Sequence, residues 1–204
     1  MIAAKRAQPH DDLISQLTQA EEAGERLRED EPVAMVFLLV VAGHETTVNL
    51  IGNGALALMQ FPDQLERFRA DPRLDATAIE ELLRFHSPIE VSTERYAREM
   101  IEIAGITIPI GALVYGLISS ANRDDTEFQH PDRLDLGREK NRHLAFGQGI
   151  HYCLGAPLAR LEGQIALRRL IDRIPGLHEA VPRSSLRWRK GLNLRGLETL
   201  PVAW

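Results

Sequence analysis

The chain has 204 residues, 44% of them hydrophobic and 26% charged, which is enough apolar material to bury a core in one or two domains. Its 24 Lys and Arg stand against 29 Asp and Glu, and the net charge of -5 offers no general attraction to nucleic acid or to an anionic membrane. The single cysteine, Cys153, excludes an internal disulfide, suits a reducing compartment and directs attention to that thiol as a ligand or nucleophile.

Met1 to Pro9 carry no apolar h-region, so no secretory signal is read there and the chain is expected in the cytoplasm. Asp11 to Arg28 is polar with Leu13, Ile14 and Leu17 at helical spacing. Glu29-Asp30-Glu31-Pro32 then places acidic residues and a proline where a second helix starts, running to about Gln60. Its apolar run from Val33 to Gly43 is too short to cross a bilayer and continues into His44, Glu45, Asn49 and Asn53. A buried, core-traversing helix is therefore expected rather than a membrane span. Gly43, Gly52 and Gly54 weaken its helix propensity, and each wants a packing or functional reason.

Phe61-Pro62-Asp63 ends that helix and opens a short one to Arg69, and Ala76 to Phe85 is helical again until Ser87-Pro88 stops it. From Ile89 the pattern shortens to strand-like runs, Val91 to Tyr96, Ile101 to Ala104, Ile106 to Ile108 and Leu113 to Leu117. Asn122 to Ile150 shows little periodicity, and so long an irregular segment in a compact protein is usually functional. Ala156 to Ile174 returns to helix, and the tail after Pro175 reads as short strands and turns. The fold expected is mainly α with small β-sheets, an α+β arrangement.

Phe146-Gly147-Gln148-Gly149-Ile150-His151-Tyr152-Cys153-Leu154-Gly155 collects three glycines, a histidine and the only cysteine immediately before a helix. It resembles the haem-binding loop of the cytochrome P450 family, phenylalanine-glycine-x-glycine-x-histidine-x-cysteine-x-glycine, at every fixed position. A thiolate is what haem iron binds, and both a metal and the positive end of a helix dipole favour that form. Glycines let backbone approach a flat macrocycle closely, and a thiolate ligand pushes electron density that favours oxygen-oxygen cleavage. Without the surrounding motif, a lone cysteine reads as a small buried hydrophobe.

The resemblance implies a bound haem b with Cys153 as its axial ligand. It further implies His151 and Arg95 toward the propionates, Phe146 against the ring near the sulfur, and Gly147 and Gly155 beside the cofactor. Arg95 suits a carboxylate because its planar fork binds one bidentately. Ile89 and Val91 would line the substrate side.

Ala42-Gly43-His44-Glu45-Thr46-Thr47 lies mid-helix, where a carboxylate followed by hydroxyls is costly unless it is used. The resemblance sets this segment across the opposite face of the haem, with Ala42 and Gly43 leaving room for dioxygen, Thr46 bonding to it and Glu45 relaying protons. His44-Glu45-Thr46-Thr47-Val48 begins like the zinc motif H-E-x-x-H but has valine where the second histidine must stand, so that reading fails. Glu81 and Arg84 stand at i and i+3, and in the family such a pair joins an arginine from the irregular segment, here taken as Arg133.

Two functional readings follow. One is the catalytic half of a haem-thiolate monooxygenase, oxidising a small organic substrate with electrons from a ferredoxin- or flavodoxin-type donor, without nucleic acid or membrane. Six basic residues between Arg138 and Arg169 against two acidic ones could mark the donor's docking side. The other is a truncated homologue acting at most as a haem-binding or interaction module. Both arise because residues 1-204 resemble only the C-terminal half of the fold, its long central helix and cysteine-ligand loop, with the N-terminal half absent.

Overall fold

The computed structural model describes residues 2–22, 25–26 and 31–204. It comprises two compact units, residues 1–45 and 46–204. In the first, α1 (Ile2–Ala7) and α2 (Leu13–Gln19) pack together and are followed by a hairpin of β1 (Glu21–Glu22) and β2 (Glu25–Arg26). The helix expected over Asp11 to Arg28 is thus limited to Leu13–Gln19. Asp12 sets its start, its carboxylate accepting from the Ser15 N–H at 2.9 Å, and Ala20 leaves helical geometry at ψ 126°. The Glu29-Asp30 part of the second helix start lies outside the described residues.

Helix α3 spans Glu31–Gln60, as the proline and the apolar pattern require. Only its second half is core: Leu50, Ala55, Leu56, Ala57 and Leu58 are buried, whereas Phe37 is 70% exposed and Leu38 and Val40 are exposed too. The expectation of a helix buried along its apolar run therefore fails for that first half, whose side chains keep their accessible surface. By length and composition alone the whole helix could cross a bilayer. Its second half is nonetheless core, since buried Asn53 donates to the carbonyls of Arg195 at 2.9 Å and His86 at 3.4 Å.

Around that half of α3 the second unit packs α4 (Pro62–Ala70), α5 (Asp75–Phe85) and α7 (Ala156–Arg173). Phe68, Ile79, Leu82 and Leu167 interdigitate with Leu50 and Leu58 in one cluster. Gly54 and Gly163 set the spacing of these helices. A Cβ on Gly54 would stand 2.9 Å from a Leu167 methyl, and one on Gly163 3.0 Å from a Leu50 methyl. At Gly43 and Gly52 an added Cβ would meet nothing.

The strand at Ile106 to Ile108 has the expected bounds, whereas the other three are shorter than their runs. β3 (Arg95–Tyr96) pairs antiparallel with β6 (Leu113–Val114), and β4 (Ile101–Ile103) with β5 (Ile106–Ile108) through a turn at Ala104-Gly105 with positive φ at both residues. Val91 still bridges Leu117, but the ladder is interrupted between that bridge and Arg95 at Ser92: its N–H donates to the Gly116 carbonyl, while the Gly116 N–H is taken by the Ser92 hydroxyl at 2.9 Å. A four-residue α6 (Ile118–Ala121) precedes the irregular segment, and β7 (His178–Glu179) pairs with β8 (Val202–Ala203) in the tail.

Candidate functional site

The cysteine loop hangs between the irregular segment and α7. Gly147 and Gly149 sit at φ +72° and +75°, where a side chain would be strained, and these bends return the chain so that the Cys153 N–H donates to the Phe146 carbonyl at 2.9 Å. The thiol is free and exposed, three residues ahead of the first residue of α7. A Cβ on Gly155 would lie 3.9 Å from its sulfur. Beside it Ile150 is 97% and Leu154 90% exposed, and His151 is exposed as well. Leu158, Leu161 and Ile165 continue the apolar surface along α7.

Behind the loop, ionic contacts join the apolar packing of Ala145 and Phe146 on the core. Glu81 and Arg84 are wholly buried and joined twice, Nε to Oε2 at 2.8 Å and Nη2 to Oε1 at 2.9 Å. Arg84 also donates to the carbonyls of Asn122, Pro131 and Arg133. The third member of the triad is Arg138, not Arg133: Arg138 Nε lies 3.0 Å from Glu81 Oε2, whereas Arg133 is exposed and contributes only its carbonyl. A turn closed by the Arg138 N–H on the Asp135 carbonyl at 3.1 Å follows the buried Leu134 and Leu136 and brings Arg138 back to Glu81. Asn141 and the Asp135 N–H complete the ring around Glu81.

Sequence reasoning missed a second carboxylate beside the first. Glu80 receives Arg160 from α7 through both its oxygens, at 2.6 and 2.9 Å, and His143 at 3.0 Å. Burial would raise its pKa, but the bonds from His143 and Arg160 and their charges outweigh this and bring it down to about 2. The bond to Glu80 raises Arg160's own pKa further, against the effect of its partial burial. Arg160 also reaches the Tyr152 hydroxyl at 3.0 Å and stacks 4.5 Å above the Phe146 ring. The only local sign of this cluster is the doublet Glu80-Glu81.

The remaining expected residues fall apart in type. Arg95 is exposed, and its guanidinium donates to the Thr93 hydroxyl and, at 3.0 Å, to the Glu94 carbonyl. Val91 is buried, a core position. Ala42, Gly43 and Glu45 belong to the first unit, while Thr46 opens the second. Of the six basic residues counted toward a docking side, Arg138, Arg160 and Arg168 are committed to Glu81, Glu80 and Asp75.

The cytochrome P450 family model matches residues 72–174, which hold α5, the irregular segment, the cysteine loop and α7. The chain belongs to the cytochrome P450 family. Cytochrome P450 107B1 of Saccharopolyspora erythraea is 53% identical over 202 residues, covering 99% of this chain and 50% of that protein. The polyketide biosynthesis cytochrome P450 PksS of Bacillus subtilis is 50% identical over 203 residues, covering 100% of this chain and 50% of that protein. Its solved structure superposes with a TM-score of 0.96 over 99% of this chain and 52% of its own. The mainly α fold with small sheets is thus that of the family, and the chain spans about half the length of the curated relatives it matches.

Cytochrome P450 proteins carry haem, and the loop fits one. An accessible thiol stands at a helix start, the backbone beside it is bare at two glycines, and Ile150 and Leu154 offer apolar contacts to a flat ring. Among the described residues no cluster of three or more His, Cys, Asp and Glu competes as a metal site.

Proposed function

We propose that the chain is the cysteine-loop half of a haem-thiolate monooxygenase acting in the cytoplasm, with haem b held by Cys153 Sγ. Haem bound in this way supplies dioxygen activation for insertion of one oxygen atom into a small organic substrate. The observation that carries the reading is the exposed Cys153 thiol, presented by a loop with left-handed glycines and held from behind by ionic contacts. Phe146, Gly147 and Gly155 would lie beside the ring, and His151 and Arg95 would neutralise its propionates by charge-assisted hydrogen bonds. Arg95 must exchange its Thr93 and Glu94 contacts for a propionate, a small cost at an exposed site.

The family resemblance supports Ala42 and Gly43 as the small residues that leave room for dioxygen. The Glu45 carboxyl exchanges a proton with solvent and the Thr46 hydroxyl passes it inward, which is general acid work. The electron donor is a ferredoxin- or flavodoxin-type protein, and neither nucleic acid nor a membrane is a partner.

The exposed apolar side chains Phe37, Leu38, Leu158 and Ile165 favour a second reading, a haem-binding or interaction module without turnover of its own. One spectrum separates the two. The purified chain is loaded with haem, reduced and exposed to carbon monoxide. A strongly red-shifted Soret band, lost in Cys153→Ala, together with product from a surrogate donor, establishes the monooxygenase; a band without turnover leaves the module, and no band removes Cys153 as ligand in this chain.

A further inference from the structure

The backbone hydrogen bonds of the cysteine loop fix its shape but not its place. Gly147 donates to Leu144, Tyr152 to Gly149 and Cys153 to Phe146, all within the loop itself. At its entry the Leu144 N–H donates to Asn122 Oδ1 at 2.7 Å and Ala145 and Phe146 pack on the core, while one carboxylate on α5 bonds to residues at both ends of the unit. We propose that Glu80 is the positioning residue of the cysteine loop, clamping His143 at its entry and Arg160 just past its exit and so fixing where Cys153 stands.

The bonding pattern supports a clamp rather than an incidental surface pair. His143 is almost wholly buried, and its Nδ1 accepts from the Ala145 N–H at 3.2 Å. That bond leaves Nε2 as the donor to Glu80 Oε2, so the ring is fixed in tautomer and orientation. Arg160 meets Glu80 in the planar two-pronged mode, which fixes angle as well as distance. The same guanidinium holds the hydroxyl of Tyr152, the residue directly before Cys153, and covers the Phe146 ring, whose carbonyl receives the Cys153 N–H. Each contact of the cluster thus lies within one residue of the thiol or at a hinge of its loop.

Neighbouring groups have separate tasks. Glu81 holds 135–141 through Arg138, Asn141 and the Asp135 N–H. Asp75 joins the same two helices as Glu80, through Arg168, but touches nothing in the loop. The proposal takes its catalytic meaning from Cys153 as haem ligand, while its geometry stands without haem.

The test is backbone hydrogen exchange of the purified chain, read on peptides covering 144–153. Glu80→Gln keeps the shape of the side chain and removes its charge; exchange at the Gly147, Tyr152 and Cys153 amides is expected to rise about tenfold, with α4 and α7 core peptides unchanged. Tyr152→Phe, which deletes one exposed hydroxyl and leaves the fold intact, is expected to raise it about threefold. Asp75→Asn, which loosens the same helix pair elsewhere, should leave loop exchange at the wild-type rate.

In haem-loaded protein, Glu80→Gln should shift part of the carbon monoxide complex from the thiolate-type Soret band to that of a neutral thiol. Unchanged loop exchange in both Glu80→Gln and Tyr152→Phe, or equal acceleration by Asp75→Asn, overturns the proposal. Failure of the wild-type chain to give the thiolate-type band, with the exchange pattern as expected, removes the haem assignment and leaves the clamp.

Discussion

The two faces of the cysteine loop are built on opposite principles. Behind it, Glu80 and Glu81 gather arginines, a histidine and backbone donors into ionic clusters, with the Glu81–Arg84 pair of one of them wholly buried. In front, Ile150, Leu154 and Leu158 stand open with no charge among them. The difference separates two jobs. Geometry is fixed by directional bonds that tolerate no substitution, while the face that receives a flat ligand is left soft and apolar, where contact area rather than angle supplies the affinity.

The sharpest way to break the rear face is Arg84→Met. It leaves Glu81 buried with Arg138 as its remaining cation and strips donors from the carbonyls of Asn122, Pro131 and Arg133. A loss of about 3–5 kcal/mol is expected, measured as the urea midpoint of the chain at constant m-value.

The next effect is one of pH, in two windows. Burial, with the charges of Arg195, Arg123 and Arg183, lowers the His86 pKa from 6.5 to about 4. The unfolded chain therefore takes up that proton first, and stability falls as pH drops from about 6.5 toward 4. Glu80, held at about 2 against an ordinary 4.5, contributes stability that is complete above the ordinary value and is lost as pH falls toward 2. The first window should lower the urea midpoint without selectively exposing residues 144–153 to exchange; the second should release those amides early. Glu80→Gln is expected to remove the early release of those amides from the second window, where Asp12 also titrates, and to spare the first.

Leu167→Ala opens space against Gly54 and Leu50 in the helical core, with an expected loss of about 2–5 kcal/mol by urea titration and no selective effect on loop exchange. A result outside that pattern would mean the loop is held by helix packing and not by its carboxylates. The smallest effect belongs to the front: Ile150→Ser should change the stability read from the urea midpoint by less than about 0.5 kcal/mol, yet weaken haem uptake measured by Soret titration.

Much of this architecture was legible in the sequence, for local reasons. Proline and acidic residues announced where α3, α4 and α5 begin, and the glycine spacing of the cysteine loop named its chemistry before any geometry. The runs Val91 to Tyr96 and Leu113 to Leu117 were overextended because a single serine, Ser92, takes by its side chain a bond the ladder between them needed, while Ile106 to Ile108 was read with its true bounds. The helix over Asp11 to Arg28 was overextended because a cap and a departing ψ at Ala20 are stronger than apolar spacing.

The arginine of the buried triad was placed at Arg133, since nothing in the string shows that the turn after Asp135 returns Arg138 to Glu81. The Glu80 cluster was invisible for another reason: its partners lie 63 and 80 residues away, and only the folded core brings α5 against the loop and α7.

That pair of adjacent glutamates also bears on how this gene could be recombined with its relatives. One of them governs the segment up to Asn141 and the other the loop from His143 to Arg160, so a crossover anywhere between α5 and Asp135 would pair foreign carboxylates with both sets of partners at once. Chimeras that inherit residues 80–160 as one block should keep their thiol in register, and libraries cut inside it should lose function in proportion to how far the two parents differ at those partner positions.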